Sequence, residues 1–116
     1  MKPRGSPDVP RFADQFAALG AEPRLRIVRL LLSAHPEGLI AGDIQAALGM
    51  AASTLSHHLD KLKNEELIDV RRDRQFLWYS ANTEALKTLL AFLWSECCTR
   101  NTVITVKEIM QWKPNN

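Results

Sequence analysis

The stretch AGDIQAALGMAASTLSHHLDKLKN, residues 41–64, constrains the fold more than any other part of this chain. Its first part is a short helical pattern closed by Gly49, a helix-stop residue. After Met50 and Ala51 a second helical pattern runs over 52–64, with Leu55, Leu59 and Leu62 recurring on one face. Two short helices, each with an apolar face, joined by a glycine-containing turn form a helix-turn-helix.

The flanking segments extend this unit. Residues 1–10 contain three prolines, a glycine and a serine and are expected to form a flexible arm. RFADQFAALG follows as a helix with Phe12, Phe16 and Leu19 on one face and Gly20 as its stop. EPRLRIVRLLLSA predicts a second helix with Pro23 in its first turn, Ile27, Leu30 and Leu31 inward, and Arg24, Arg26 and Arg29 facing away. A turn over His35, Pro36, Glu37 and Gly38 leads into the helix-turn-helix. In LIDVRRDRQFLWYS the period changes to two, and two β-prone runs around a polar tip predict a hairpin. The tip has no Asn-Gly or Asp-Gly pair, so its turn type stays open. A final helix is expected over 82–99, with Leu86, Leu89, Leu90, Leu93, Trp94 and Cys97 as one apolar stripe. In the tail, 101–116, VITV has strand character and VKEIMQW helical character. The expected fold is mainly α with a β-hairpin wing: a winged helix-turn-helix domain over 11–100, with an extra helix at each end.

Size and charge narrow the classes. A chain of 116 residues, 46% of them hydrophobic, makes one domain with a real core, and oligomerisation would help so small a domain. A net charge of +2 is too mild to demonstrate nucleic-acid binding by itself. No apolar run approaches the roughly 18 residues that span a bilayer, and the N-terminus lacks a signal-peptide core. Two adjacent cysteines make no disulfide framework, which points to a reduced, cytoplasmic protein. There is no set of nucleophile, base and orienting group, no phosphate loop and no complete metal site, so an enzyme is not expected.

Helix 52–64 is short-polar at its start, with Ser53, Thr54, Ser56 and His57. A recognition helix presents such N-terminal side chains to base edges in the major groove. Ser53 and Thr54 also suit helix capping, and Ala51 stands where a capping side chain would be expected. His58 lies towards Leu55 and Leu62 and is better read as a satisfied, partly buried histidine. Arg71, Arg72 and Arg74 would contact phosphates or an adjacent minor groove; their plainer role is a solvated sheet edge.

ALGAEPRLRIVRLL followed by MAASTLSHHLDKLKNEELIDVRRDRQFLWYS resembles the ArsR/SmtB family of bacterial transcriptional repressors over about residues 12–98. The resemblance implies a homodimer built on the first and last helices, double-stranded operator DNA (an inverted repeat) as partner, and release when an inducer binds. Two of the family's metal sites are missing. Ile40 and Gly42 stand where cysteines would fall on the first helix of the motif, and the last helix has no histidine.

SECCTR remains, with Cys97 beside Cys98. Cys97 could be a small buried hydrophobe, which leaves Cys98 unexplained. A vicinal disulfide needs a strained ring, though a reversible redox switch is open. Two thiolates suit a soft, thiophilic centre better than zinc, which wants four ligands. Trivalent arsenic or antimony, inorganic or methylated, fits two sulfurs plus a third ligand. Family members that sense arsenite through cysteines near the end of the last helix are similar at this point. The function expected is a repressor with no permanent cofactor, induced by trivalent arsenic or antimony at Cys97 and Cys98. The alternatives are a redox-sensing or metal-independent winged-helix DNA-binding regulator and, more distantly, a protein-interaction module.

Overall fold

The computed structural model describes residues 8–100. Residues 1–7 of the arm expected over 1–10, and the tail at 101–116 with its strand and helix readings, lie outside the described residues. Helix α1, Val9–Leu19, starts two residues earlier than the periodicity suggested, because Pro10 serves in its first turn rather than in an arm. Helix α2, Glu22–Ser33, likewise takes Pro23 into its first turn and buries Ile27, Val28 and Leu31. Helix α3, Ala41–Leu48, ends on Gly49 in the left-handed conformation, φ 62°, which a residue without Cβ adopts at no steric cost. Helix α4, Ala52–Asn64, buries Leu55, Leu59 and Leu62.

The sheet has one strand more than expected. Strand β1, Leu39–Ile40, pairs antiparallel with β3, Phe76–Ala81, which pairs with β2, Ile68–Asp73, giving the order β1-β3-β2. A two-residue strand carries no usable period; the fold creates it by running the turn at Gly38 against β3. A side chain at Gly38 would collide with the carbonyl of Tyr79, and its φ is 84°, so only glycine fits. The hairpin closes through Arg74 and Gln75, since Asp73 pairs with Phe76, and Arg74 holds a positive φ of 61°.

Helix α5 is Thr83–Trp94, shorter than the 82–99 expected, and Asn82 is its N-cap. Its end has a local cause. Ser95 N–H and its hydroxyl both donate to the Phe92 carbonyl, at 3.2 and 2.8 Å, and Cys97 N–H donates to the Trp94 carbonyl at 2.8 Å. These three-residue-back bonds replace the helical ones, as serine side chains promote. Cys97 therefore does not continue the helical stripe. Within that stripe Leu86 and Leu89 are buried, while Leu90 and Leu93 are each 60% exposed.

The core lies between the helices and the inner face of the sheet. Ile27, Leu31, Ile44, Leu55, Leu62, Leu67 and Leu89 are fully buried there. Phe12, Phe16 and Leu19 of α1 close it as partly buried neighbours.

Candidate nucleic-acid interface

The core leucines of α4 turn its opposite face outward. Ser53, Thr54, Ser56 and His57 are all exposed there. The N-cap is Ala51, in extended conformation and with no side-chain hydrogen bond, so the helix starts at Ala52 and Ser53 does not cap it. The N–H groups of this first turn form the positive end of the helix dipole, which favours a phosphate.

His58 is held on the inner side. Arg24, read from sequence as facing away, is half-buried: its Nε donates to the Ala18 carbonyl at 2.6 Å and its Nη1 lies 3.2 Å from His58 Nδ1. A guanidinium can only donate, so Nδ1 accepts and the imidazole is neutral. Burial, then the charges of Arg24, His57 and Lys61, lower the His58 pKa below 6.5.

The other end of α4 is clamped by α1. Arg11 Nη1 meets Glu65 Oε1 at 2.8 Å, and Arg11 Nη2 reaches the Glu65 carbonyl at 3.2 Å and Glu66 Oε1 at 2.5 Å. Gln15 Nε2 donates to the same Glu65 carbonyl at 2.9 Å, which explains a buried glutamine on an otherwise apolar face. Glu66 stands at φ 61°, and Glu66 N–H and Leu67 N–H return to the carbonyls of Lys63 and Leu62, a Schellman ending that hands the chain to β2. Sequence reading missed this clamp because its partners are some 50 residues apart; the only signal was Gln15 between Phe12 and Phe16.

The wing separates the three arginines. Arg71 is not at the tip. It sits opposite Trp78, lays its guanidinium 5.3 Å from the indole centroid, and donates to the Glu37 carbonyl at 2.7 Å. Arg72 and Arg74 lie at the exposed end, beside the exposed Phe76 and Leu77. The helix and the wing thus present hydroxyls, an imidazole and three exposed arginines, of which Arg71 is engaged with Trp78 and Glu37.

The thiols lie apart from that surface. Cys97 and Cys98 follow α5, both half-buried, with their sulfurs 2.9 Å apart and Cys98 at φ 62°. That spacing exceeds the S–S bond of a disulfide, about 2.05 Å. Among the described residues, no group of three or more His, Cys, Asp or Glu could hold a metal ion, and no helix is long and apolar enough to cross a membrane.

A helix-turn-helix domain model matches residues 19–71. The crystal structure of NolR from Sinorhizobium fredii superposes with a TM-score of 0.62 at 29% identity, covering 82% of this chain and 95% of that one. The solution structure of a homodimeric winged helix-turn-helix DNA-binding domain from Mycobacterium bovis, a possible ArsR-family transcriptional regulator, gives 0.59 at 25% identity, covering 89% and 100%. The HTH-type transcriptional regulator YgaV of Escherichia coli is 36% identical over 89 residues, 74% of this chain and 89% of YgaV. The chain belongs to the ArsR/SmtB family. It is a winged helix-turn-helix, DNA-binding transcriptional regulator and not an enzyme. Within the ArsR/SmtB relatives, CadC of Listeria innocua is a cadmium resistance regulator, SdpR of Bacillus subtilis a repressor, and HlyU of Vibrio cholerae an activator. Membership therefore fixes DNA binding and leaves both the sign of regulation and the inducer to this chain's own residues.

Proposed function

We propose that this ArsR/SmtB protein is a homodimeric repressor that leaves its operator when trivalent arsenic or antimony binds Cys97 and Cys98. The observation that carries the reading is the convergence of the two sulfurs, 2.9 Å apart at the end of α5. Arsenite, As(OH)3, would react so that each thiol proton leaves with one hydroxide as water and two As–S bonds form. The third position keeps hydroxide, takes a methyl group in a methylated arsenical, or accepts another thiolate. Soft sulfur donors select such a centre over oxygen-loving ions.

On DNA, Ser53, Thr54, Ser56 and His57 would read base edges, and Arg72 and Arg74 would meet phosphates or the minor groove. Arg71 would join them only after leaving Trp78 and Glu37. The exposed Leu90 and Leu93 of α5 and Val9 of α1 support a dimer built on the terminal helices, like the homodimeric Mycobacterium bovis domain. A dimer places two recognition helices on two half-sites of an inverted repeat.

Native mass spectrometry of the fully reduced protein, with arsenite, antimonite and a methylated trivalent arsenical, tests the reading. A dimer that takes up two arsenic atoms, with uptake lost in Cys97→Ser and in Cys98→Ser, supports it. A dimer that takes up none sinks it. The second reading, a redox switch, rests on the same sulfur pair: a mild oxidant would then remove two hydrogens per chain and release DNA without any metalloid.

A further inference from the structure

Helix α1 packs against both α5, which the thiols follow, and recognition helix α4. Phe92, whose carbonyl receives both donors of Ser95, stacks on Phe12 of α1 with ring centroids 4.3 Å apart and planes 19° from parallel. Between Phe92 and Cys97 the backbone makes two successive short turns, so a change at the sulfurs acts on the residues that hold the Phe92 ring. Next to Phe12, Arg11 grips Glu65 and Glu66, and one turn on Gln15 grips the Glu65 carbonyl. Those two glutamates form the joint between recognition helix α4 and wing strand β2. Glu66 is held there in a left-handed conformation that a non-glycine residue resists.

Two surface clefts border helix α1. A cleft of about 390 Å³ separates its Arg11–Phe12–Gln15 side from Asn82, Ala85 and Thr88. A second, of about 290 Å³, opens between Asp14 and Ala18 on one side and Lys61 and Asn64 on the other. The helix meets the end of α4 through these directed bonds, while its Phe12, Phe16 and Leu19 pack on the core.

We propose that α1 transmits the state of the thiol pair to the recognition helix within one subunit, with Arg11 and Gln15 as positioning residues for α4 and Phe12 as the contact with α5. The proposal rests on Cys97 and Cys98 being the sensor. Drawing both sulfurs onto one atom reshapes the turns after Trp94, moves Phe92, and through Phe12 loosens the grip on Glu65. The joint of helix and wing then relaxes and DNA affinity falls. The effect is limited to the difference in ligand affinity between the two states, and bound DNA weakens ligand binding by the same factor.

The chain has no other cysteine, so iodoacetamide caps Cys97 and Cys98 alone, forming a thioether at each with loss of iodide. The full-length reduced protein, Arg11→Met and Arg11→Lys are titrated by fluorescence anisotropy onto a duplex that the protein selects from a random pool, with and without capping and, separately, with and without arsenite. Folding of each variant is checked by circular dichroism. Arg11→Met is expected to bind several-fold more weakly with an unchanged salt slope, because the Arg11 guanidinium is engaged with Glu65 and Glu66. Capping should weaken the parent by roughly tenfold or more, a usual size for such coupling, and Arg11→Met by less than about twofold. Arg11→Lys should recover part of the response. The proposal is overturned if capping weakens parent and Arg11→Met equally, if it leaves the parent unchanged, or if Arg11→Met lowers the salt slope by about one. Should capping behave as expected while arsenite is not taken up, the inducer reading fails and the transmission stands.

Discussion

At the residue scale, single side chains do two tasks in this chain. Asn82 caps α5, its Oδ1 accepting from Ala85 N–H at 3.1 Å, while its Nδ2 donates to the Glu66 carbonyl at 2.9 Å. Asn82→Ala removes both bonds and should destabilise the fold by about 1–2 kcal/mol, read as a lower urea midpoint with unchanged slope. His58 is a second case. Burial and neighbouring charges depress its folded pKa below 6.5, so the unfolded chain binds its proton first as pH falls. Its contribution to stability is fully present above 6.5 and is lost as pH drops from there through the lowered folded value. Urea titrations on both sides of that pH should show less acid sensitivity in His58→Gln than in the parent protein; equal sensitivity would mean that the Arg24 contact does not hold the ring neutral.

At the element scale, α5 carries one apolar stripe that its own core covers only in part. Leu89 is fully buried, while Leu93, one turn further along the same face, and the neighbouring Leu90 are each 60% exposed. The amphipathic pattern merges them because the period alone cannot say which partner covers each leucine. Leu89→Ala should cost about 2–5 kcal/mol of stability, measured by denaturant titration. Leu93→Asp should leave the subunit folded and turn the dimer into monomers by sedimentation velocity; a persistent dimer would place the interface elsewhere. The end of α5 is also an element-scale event, since Ser95 diverts the Phe92 carbonyl and thereby sets Cys97 and Cys98 in a turn.

At the scale of the whole molecule, the wing sets which of its arginines stand at its end. Three arginines lie within four residues of one hairpin, yet Arg71 is turned to Trp78 and Glu37 while Arg72 and Arg74 reach the end. Arg72→Ala should weaken DNA binding and reduce the slope of log affinity against log salt by about one. Arg71→Ala should weaken binding with the slope unchanged, since it loosens the wing from the Glu37 turn. Anisotropy titrations across a salt series separate the two, and a slope change in Arg71→Ala would make that residue a phosphate contact.

The sequence by itself determined the helix-turn-helix, the hairpin, the core leucines of α4 and the family. Each is written in local spacing: i, i+4, i+7 apolar residues, Gly49 after a helix, period two from Ile68. Local spacing also singled out the cysteine pair, because only two cysteines exist and they are adjacent. Tertiary structure alone decided β1, the grip of Arg11 and Gln15 on Glu65, the pairing of Arg24 with His58, and the place of Arg71 over Trp78. Those are contacts between residues distant in sequence. An arginine or glutamine carries no sign of its partner until the core has brought the two surfaces together.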